Sequence, residues 1–391
     1  MSTIIVSINS AIRHNAISPK FYMHNKIIVC VKSGENETLS QHVINNCFKV
    51  IKFETFNDIE KQIKENNIDT VNLKVFSTSE DYMYTAAKLR ALLSIEGMSF
   101  SEVAVFRDKT LMKKKAAQSK IRVPHFNNFE GQSYQEIAEQ VGLPFVMKPR
   151  DAAGSFGVHI IKCETDFSEA VKDITLADNY AFEEYINGNL YHVDLLVQNG
   201  DIVFSVACEY TFPNLDFLSG KPCLSLVLQS DSEVSKNLKA FASQIVRSLE
   251  LENGPSHIEI FISDQGEMVF LEAACRTPGA IVVPLYEKQF GVNMIEEAIN
   301  IEQGKPVEKI CPASEYHHFA GIFPTIEGEI KQIHEVAIRS EFDLEMHCSV
   351  GDSFTGLNSL KNIAGSIVVK NKNYDDLRKD FEYFRKFKLV S

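Results

Sequence analysis

Pro144-Phe145-Val146-Met147-Lys148-Pro149-Arg150-Asp151-Ala152-Ala153-Gly154-Ser155-Phe156-Gly157-Val158 is the stretch whose reading decides the fold. An apolar run ends on a lysine, turns through small residues and restarts at Val158-His159-Ile160-Ile161, which predicts strand, loop, strand. Glycines let a backbone approach an anion closely, and the freed N–H groups point at it. Lys148, closing the first strand, adds a fixed positive charge beside that anion. The same residues also fit an ordinary Gly-Ser hairpin with a snorkelling lysine, and the loop alone does not separate the two. It is not a Walker loop, because no Gly-Lys-Ser/Thr follows the glycines and no helix opens there.

Downstream, a helix is expected near Asp166–Ile174, and then Ala181-Phe182-Glu183-Glu184-Tyr185-Ile186-Asn187-Gly188 runs from an apolar strand into two acids and a turn. These acids fit a linker facing a nucleotide base, or one exposed and one strand-end acid. Asn199-Gly200 is a strong hairpin signal between Tyr191 and Thr211. Pro222–Leu228 reads as a strand and Ser232–Leu249 as a long helix. His257–Ile262 and Met268–Arg276 form two strands about Asp264-Gln265-Gly266-Glu267. A loop centred there sets Glu259 opposite Glu272 on one face. Opposed carboxylates repel unless a cation sits between them, and hard oxygens at that separation suit Mg²⁺; the same spacing also fits two acids that face water and tolerate each other. Arg276-Thr277-Pro278-Gly279-Ala280 leaves beside them, and its guanidinium could grip a carboxylate or phosphate, or pair with a neighbouring acid.

Upstream, Asp108–Ser119 reads as a helix carrying Lys109, and Lys113-Lys114-Lys115 as its solvated face. A second helix, Tyr134–Val141, leads into the opening strand. Residues 1–100 alternate strand-length runs (Thr3–Ile8, Lys26–Val31, Phe48–Phe53, Thr70–Phe76) with helices (Asn57–Asn66, Ser79–Leu93), the pattern of a small parallel sheet. After the helix Asn293–Ile301, short strands and a closing helix Tyr374–Phe387 read as a small α+β element. The adjacent His317 and His318 would face opposite ways on a strand, which argues against a joint metal site.

With 391 residues, two or three domains are expected. A net charge of -12 argues against a nucleic-acid binder. The eight cysteines are scattered without Cys-x-x-Cys pairs, which fits a reducing, cytoplasmic setting and argues against a thiolate zinc site; Cys30 and Cys163 read as small core residues. No run is long enough to span a membrane, and no secretory leader is evident.

The order Asp108-Lys109, Lys148 with Gly154-Ser155-Phe156-Gly157, Glu183-Glu184-Tyr185-Ile186-x-Gly188, His257-x-Glu259 and Glu272-x-x-x-Arg276-x-x-Gly279 resembles the ATP-grasp family, nearest its carboxylate–amine ligases of the amino-acid and dipeptide type. The resemblance implies a multidomain α/β and α+β chain. Its parts would be an N-terminal parallel-sheet domain (1–100), an ATP-grasp core (101–305, with a lid subdomain at about 120–185 and a catalytic one at about 186–305) and a C-terminal subdomain (306–391). It implies ATP and Mg²⁺ or Mn²⁺ as cofactors, small-molecule acid and amine substrates, and allows a homodimer. Lys109 and Lys148 would hold the α- and β-phosphates, Gly154 to Gly157 would close over the β- and γ-phosphates, and Glu183 to Ile186 would meet adenine. Glu259 and Glu272 would bind the metal, and Arg276 would hold the reacting carboxylate or phosphoryl group, with the Gly279 turn nearby. Leu190 stands where many members carry a ribose-binding glutamate, so His192 or Asp194 is expected to contribute instead. Ala274 stands where many carry a metal-binding asparagine. The implied reaction makes an acyl phosphate and then an amide. The rivals are another acid or nucleophile, such as a purine-pathway intermediate or a carrier thiol, and a non-catalytic ATP-binding protein.

Overall fold

The structure, a computed structural model, describes residues 4–8, 16–34, 39–68, 70, 72–172, 174, 179–279, 281–307, 314–355 and 362–391. Near the N-terminus, β1 (Ile4–Ile8), β2 (Lys26–Lys32), β3 (Lys49–Phe53) and β4 (Leu73–Phe76) form a parallel sheet in the order β3-β2-β1-β4. Val6, Ile8, Ile28 and Cys30 pack into one core while Ile5, Ile27 and Val29 pack into another, because a parallel sheet is covered on both faces. The helices of this region are α1 (Pro19–His24), α2 (Gln41–Asn46), α3 (Phe56–Glu65) and α4 (Met83–Leu93). Two more, α5 (Phe100–Arg107) and α6 (Lys109–Gln118), lead out of it.

A four-stranded antiparallel sheet follows, from β5 (Phe126–Asn128), β6 (Phe145–Pro149), β7 (His159–Ile161) and β8 (Tyr180–Glu184) in the order β5-β8-β6-β7. Its core joins Phe145, Met147, Ile161 and Phe182 to Ile137 and Val141 of α7 (Tyr134–Val141). Strand alternation therefore turns Val146 and Lys148 to the opposite face. The helix expected at 166–174 is α8 (Glu164–Ala170), which starts where Asp166 accepts from the Lys162 and Cys163 N–H groups. Cys163 is its N-cap and is exposed, not a core residue.

The large sheet is antiparallel throughout. It uses β9 (Gly188–Gln198), β10 (Asp201–Tyr210), β11 (Cys223–Val227), β12 (Gly254–Ser263), β13 (Met268–Ala274) and β14 (His317–Pro324). A two-stranded ribbon, β15 (Gly328–Glu329) with β17 (Ser353–Phe354), lies apart from it, while β16 (Glu341–Met346) and β18 (Ile363–Asn371) complete it. The order is β13-β12-β9-β10-β11-β14-β18-β16. The segment after residue 305 thus continues the same sheet, hydrogen-bonded through β11 and β14. Helix α9 (Glu233–Ser248) shares one core with this sheet, and α10 (Val282–Phe290) with α11 (Met294–Glu302) share the other. Among the described residues, no helix is long and apolar enough to cross a membrane.

The closing helix α12 (Tyr374–Phe384) buries Leu377, Phe381 and Phe384 against Phe319 and Ile367. Beyond that apolar seam, Arg378 and Arg385 both pair with Glu209 of β10, whose side chain is 3 % exposed. Breaking a buried ion pair costs ~3–5 kcal/mol, and partial exposure of both arginines reduces that. Glu209→Ala is expected to lower unfolding free energy by about 2 kcal/mol, measured by urea melts. A loss below about 0.5 kcal/mol would make the clasp decorative.

Candidate active site

The site begins at the N-terminus of α6. Asp108 caps the helix, accepting from the N–H groups of Thr110 (2.9 Å) and Leu111 (3.1 Å), and is gripped by Arg150. The Lys109 N–H donates to the Arg150 carbonyl at 2.9 Å, and its Nζ donates to the Ala152 carbonyl at 2.6 Å. The loop after β6 is thereby stitched to a helix end. Lys109 Nζ also lies 3.5 Å from Glu272 Oε2.

One turn further along α6, Lys113 is 1 % exposed, which corrects the reading of residues 113–115 as a solvated face. Its Nζ is 3.0 Å from Glu183 Oε2, while Lys148 Nζ is 2.5 Å from Glu183 Oε1. Register explains the second contact. Val146 lies opposite Glu183, so Lys148 is a diagonal neighbour on the same face of the β6–β8 pair. Burial disfavours the charge on Glu183, but the two ammonium groups outweigh it and hold the carboxyl below its ordinary range. Burial pushes Lys113 down to about 8 against the pull of Glu183. Lys148 is also penalised by burial, and Glu183 and Glu272 raise it nonetheless. Glu183 is therefore committed to lysines in this structure and not to a base. Glu184 accepts from Arg122 Nη2 (2.9 Å) and from the His125 N–H (3.0 Å), Tyr185 is half-buried, and Ile186 is buried.

Gly154, Ser155 and Gly157 all have left-handed backbone, with φ of 65°, 62° and 67°. At Gly157 a Cβ would stand 2.6 Å from the Tyr180 hydroxyl, which itself donates to the Gly157 carbonyl at 3.1 Å. Phe156, between them, is 60 % exposed at the loop tip.

Glu259 and Glu272 are cross-strand partners, as the spacing implied, but by a different route. The hairpin closes with Ile262 opposite Met268, one step out of that register, and a β-bulge at Leu271 restores the pairing of the two acids. Burial works against ionised Glu272, and Lys109, Lys148 and Lys113 overcome it, so its carboxyl lies well below the usual range. Glu259 Oε1 accepts from Asn214 Nδ2 at 2.7 Å and is 3.6 Å from His257 Nε2. Arg276 reaches back to the N-terminal region: its Nε and Nη2 lie 2.9 and 2.7 Å from Glu80 Oε2, and Arg107 Nη1 is 2.8 Å from Glu80 Oε1. Arg276 is thus paired with an acid here, one of its two expected partners. The Gly279 carbonyl accepts from the Val282 N–H at the start of α10 (3.2 Å), and Ala280 lies outside the described residues.

His192 and Asp194 are corrected. Both side chains are 0 % exposed, so neither reaches a ribose. Asp194 takes the Nδ1–H groups of His192 (2.7 Å) and His257 (2.6 Å), and the Tyr286 hydroxyl also donates to it. Burial disfavours both imidazolium ions, yet Asp194 pushes both up to about 9. The three residues cluster closely enough to suggest a cation site, but each Nδ1 is already engaged with the carboxylate. They form a hydrogen-bonded support across the neighbouring strands β9 and β12. Sequence reasoning missed Lys113, Glu80, Arg107 and Asn214. Of these only Lys113 carried a signal, four residues from Lys109 and so on the same helix face.

These lysines, opposed acids and left-handed loop sit on a fold that the comparisons define. The ATP-grasp domain family model matches residues 141–284. Across its whole length the chain also superposes on an L-amino acid ligase from Bacillus licheniformis with a TM-score of 0.78 and 15 % identity, covering 99 % of that chain. An N5-carboxyaminoimidazole ribonucleotide synthetase from Thermotoga maritima superposes at 0.70, with 16 % identity and 99 % of each chain covered. In sequence, the chain is 25 % identical over 235 residues to the L-arginine-specific L-amino acid ligase of Bacillus subtilis. That match covers 58 % of this chain and 57 % of that protein. It is 23 % identical over 255 residues to the alanine–anticapsin ligase of Bacillus subtilis, covering 58 % and 53 % respectively. The chain therefore spans little more than half the length of these curated relatives.

Proposed function

We propose that the protein is an ATP-dependent ligase that activates a carboxylate as an acyl phosphate and couples it to an amine. ADP and phosphate are released, and the substrates are amino-acid-like small molecules. The observation that carries this reading is the meeting of Lys109 and Lys148 with the opposed pair Glu259–Glu272. That arrangement holds positive charge for a polyphosphate beside hard oxygens for a divalent cation. The likeness to amino acid ligases supports the choice of acid and amine.

The donor set fits Mg²⁺ or Mn²⁺, since two carboxylates lie opposite each other on one sheet face and such ions take a few carboxylates with phosphate and water completing the shell. Glu259 and Glu272 would hold the ion, which when bound neutralises phosphate charge. Lys109 and Lys148 hold the polyphosphate, and the backbone N–H groups of 154–157 close over its end. Glu184 to Ile186 line the base through backbone groups. Arg276 orients the acid so that its oxygen attacks the γ-phosphorus in line, expelling ADP. The amine then attacks the acyl carbon, phosphate leaves and the amine proton is lost. Closure of the 150–157 loop keeps water from the acyl phosphate.

The test is incubation with Mg-ATP and pooled amino acids, following phosphate release and product mass together. Phosphate release with a new mass equal to two amino acids less water is expected; ATP binding with no turnover on any acid would refute the reading. Glu272→Gln should weaken the metal dependence of turnover by about 10–100-fold while leaving the fold intact. A Mg²⁺ titration of phosphate release measures it, and an unchanged half-saturation would remove Glu272 from the metal site.

A further inference from the structure

The two opposed acids are not equally prepared. Glu272 lies on the edge strand with a third of its side chain exposed, and its Oε2 faces Lys109 at 3.5 Å. Glu259 is 7 % exposed and is held from behind, with both of its neighbouring nitrogens on one oxygen. Asn214 opens the short helical turn Asn214–Ser219 between β10 and β11, and its Nδ2 donates to Oε1 at 2.7 Å. Its own Oδ1 accepts from the Cys223 thiol at 3.4 Å. His257 lies two residues before Glu259, on the same face of β12, and its Nε2 stands 3.6 Å from that same Oε1. The imidazole cannot swing away, because Nδ1 is held by Asp194 at 2.6 Å, and Asp194 is held in turn by His192 and Tyr286.

We propose that Asn214 and His257 are positioning residues that hold Glu259 by Oε1 and so present Oε2 to a divalent cation lying between Glu259 and Glu272. The inference rests on the metal role proposed for those two acids. A carboxylate fixed by one oxygen loses no further rotamer freedom when the other ligates, and outer partners of this kind are worth about 10–100-fold in metal affinity. The buried Asp194 network is thereby explained: it is the rigid end of a chain Asp194–His257–Glu259 running along neighbouring strands β9 and β12, where Asp194 is the cross-strand partner of His257.

Binding of Mn²⁺, followed by electron paramagnetic resonance in the presence of a β,γ-imido analogue of ATP that cannot turn over, tests this without any activity readout. Asn214→Ala and His257→Asn should each weaken Mn²⁺ binding about tenfold or more. His257→Asn keeps a donor for Asp194 and removes the nitrogen facing Glu259. His257→Gln does the reverse and should stay within about threefold of the parent protein, although it loses the Asp194 bond and melts lower. The opposite ordering, with His257→Gln weak and His257→Asn unchanged, would make the histidine a packing element and overturn the proposal. Parent-like binding by Asn214→Ala would overturn it too, and that surface turn keeps the test alive if a buried variant fails to fold. Glu272→Gln is the reference: if it binds Mn²⁺ as the parent does, the metal reading itself falls. If only Glu272→Gln is impaired, that reading stands and this inference alone is lost.

Discussion

Lys148→Ala is expected to lower kcat/KM for ATP about a thousandfold, measured as phosphate release under saturating acid and amine. The size follows from where the charge sits. Lys148 is 5 % exposed at the end of β6, and a preorganised donor in a water-poor site is worth about 10²–10³ in rate when removed. Here the lost group is a full charge facing a polyphosphate, so the upper end applies. Collapse of the fold is not the expected cause, because Glu183 keeps Lys113 at 3.0 Å and is not stranded as a lone buried anion. Melting and rate therefore separate, with a small shift in the first and a large loss in the second. Lys115→Ala serves as the control, since that lysine pairs with the exposed Glu250 and should leave kcat/KM unchanged. Activity of Lys148→Ala within tenfold of the parent would remove the lysine from the phosphate site.

What could be read from residues alone was local and periodic. The Lys148 loop, the Asn199-Gly200 hairpin and α7 depend on turn chemistry and apolar spacing, and each falls where the pattern placed it. The pairing of Glu259 with Glu272 was legible too, though a simple loop count reaches it only because a turn closed one step off centre, with Ile262 opposite Met268, and the bulge at Leu271 compensate. A bulge leaves no mark in apolar alternation, so that agreement came from two offsetting shifts. Lys113 was misread because burial of a lysine depends on a partner from another strand, Glu183, which spacing along α6 does not show. His192 and Asp194 failed for a related reason. A polar pair in an apolar strand signals a role, but only the sheet order, with β12 beside β9, shows that the role is structural support and not a ribose contact. Glu80 carried no signal at all, since its partners lie 27 and 196 residues away along the chain.

That distant acid shapes the other large effect. Arg276→Ala should reduce kcat about a thousandfold while binding of the imido analogue of ATP stays within twofold. The guanidinium is buried against its preference, and Glu80 raises its pKa all the same, so it stays charged at any working pH. Arg107, Arg276 and Glu80 together carry one net positive charge, which leaves the group ready to accept an anion. In the free protein Glu80 occupies Arg276, and an arriving carboxylate must share or displace that contact. Lysine cannot replace it well, because the planar guanidinium meets Glu80 Oε2 through both the Nε hydrogen bond and the Nη2 ion-pair contact; Arg276→Lys should recover less than a tenth of the lost rate. Glu80→Gln should act oppositely on affinity, freeing the guanidinium and tightening a simple carboxylate several-fold, at a cost in stability because Arg107 loses its carboxylate partner and keeps only the Asp151 carbonyl among the described residues. Phosphate-release kinetics alongside titration with the analogue distinguish the outcomes. A loss of analogue binding equal to the loss of rate would move Arg276 from the acid to the nucleotide phosphates, and unchanged kcat would leave it as the strut that ties the N-terminal sheet to the catalytic one.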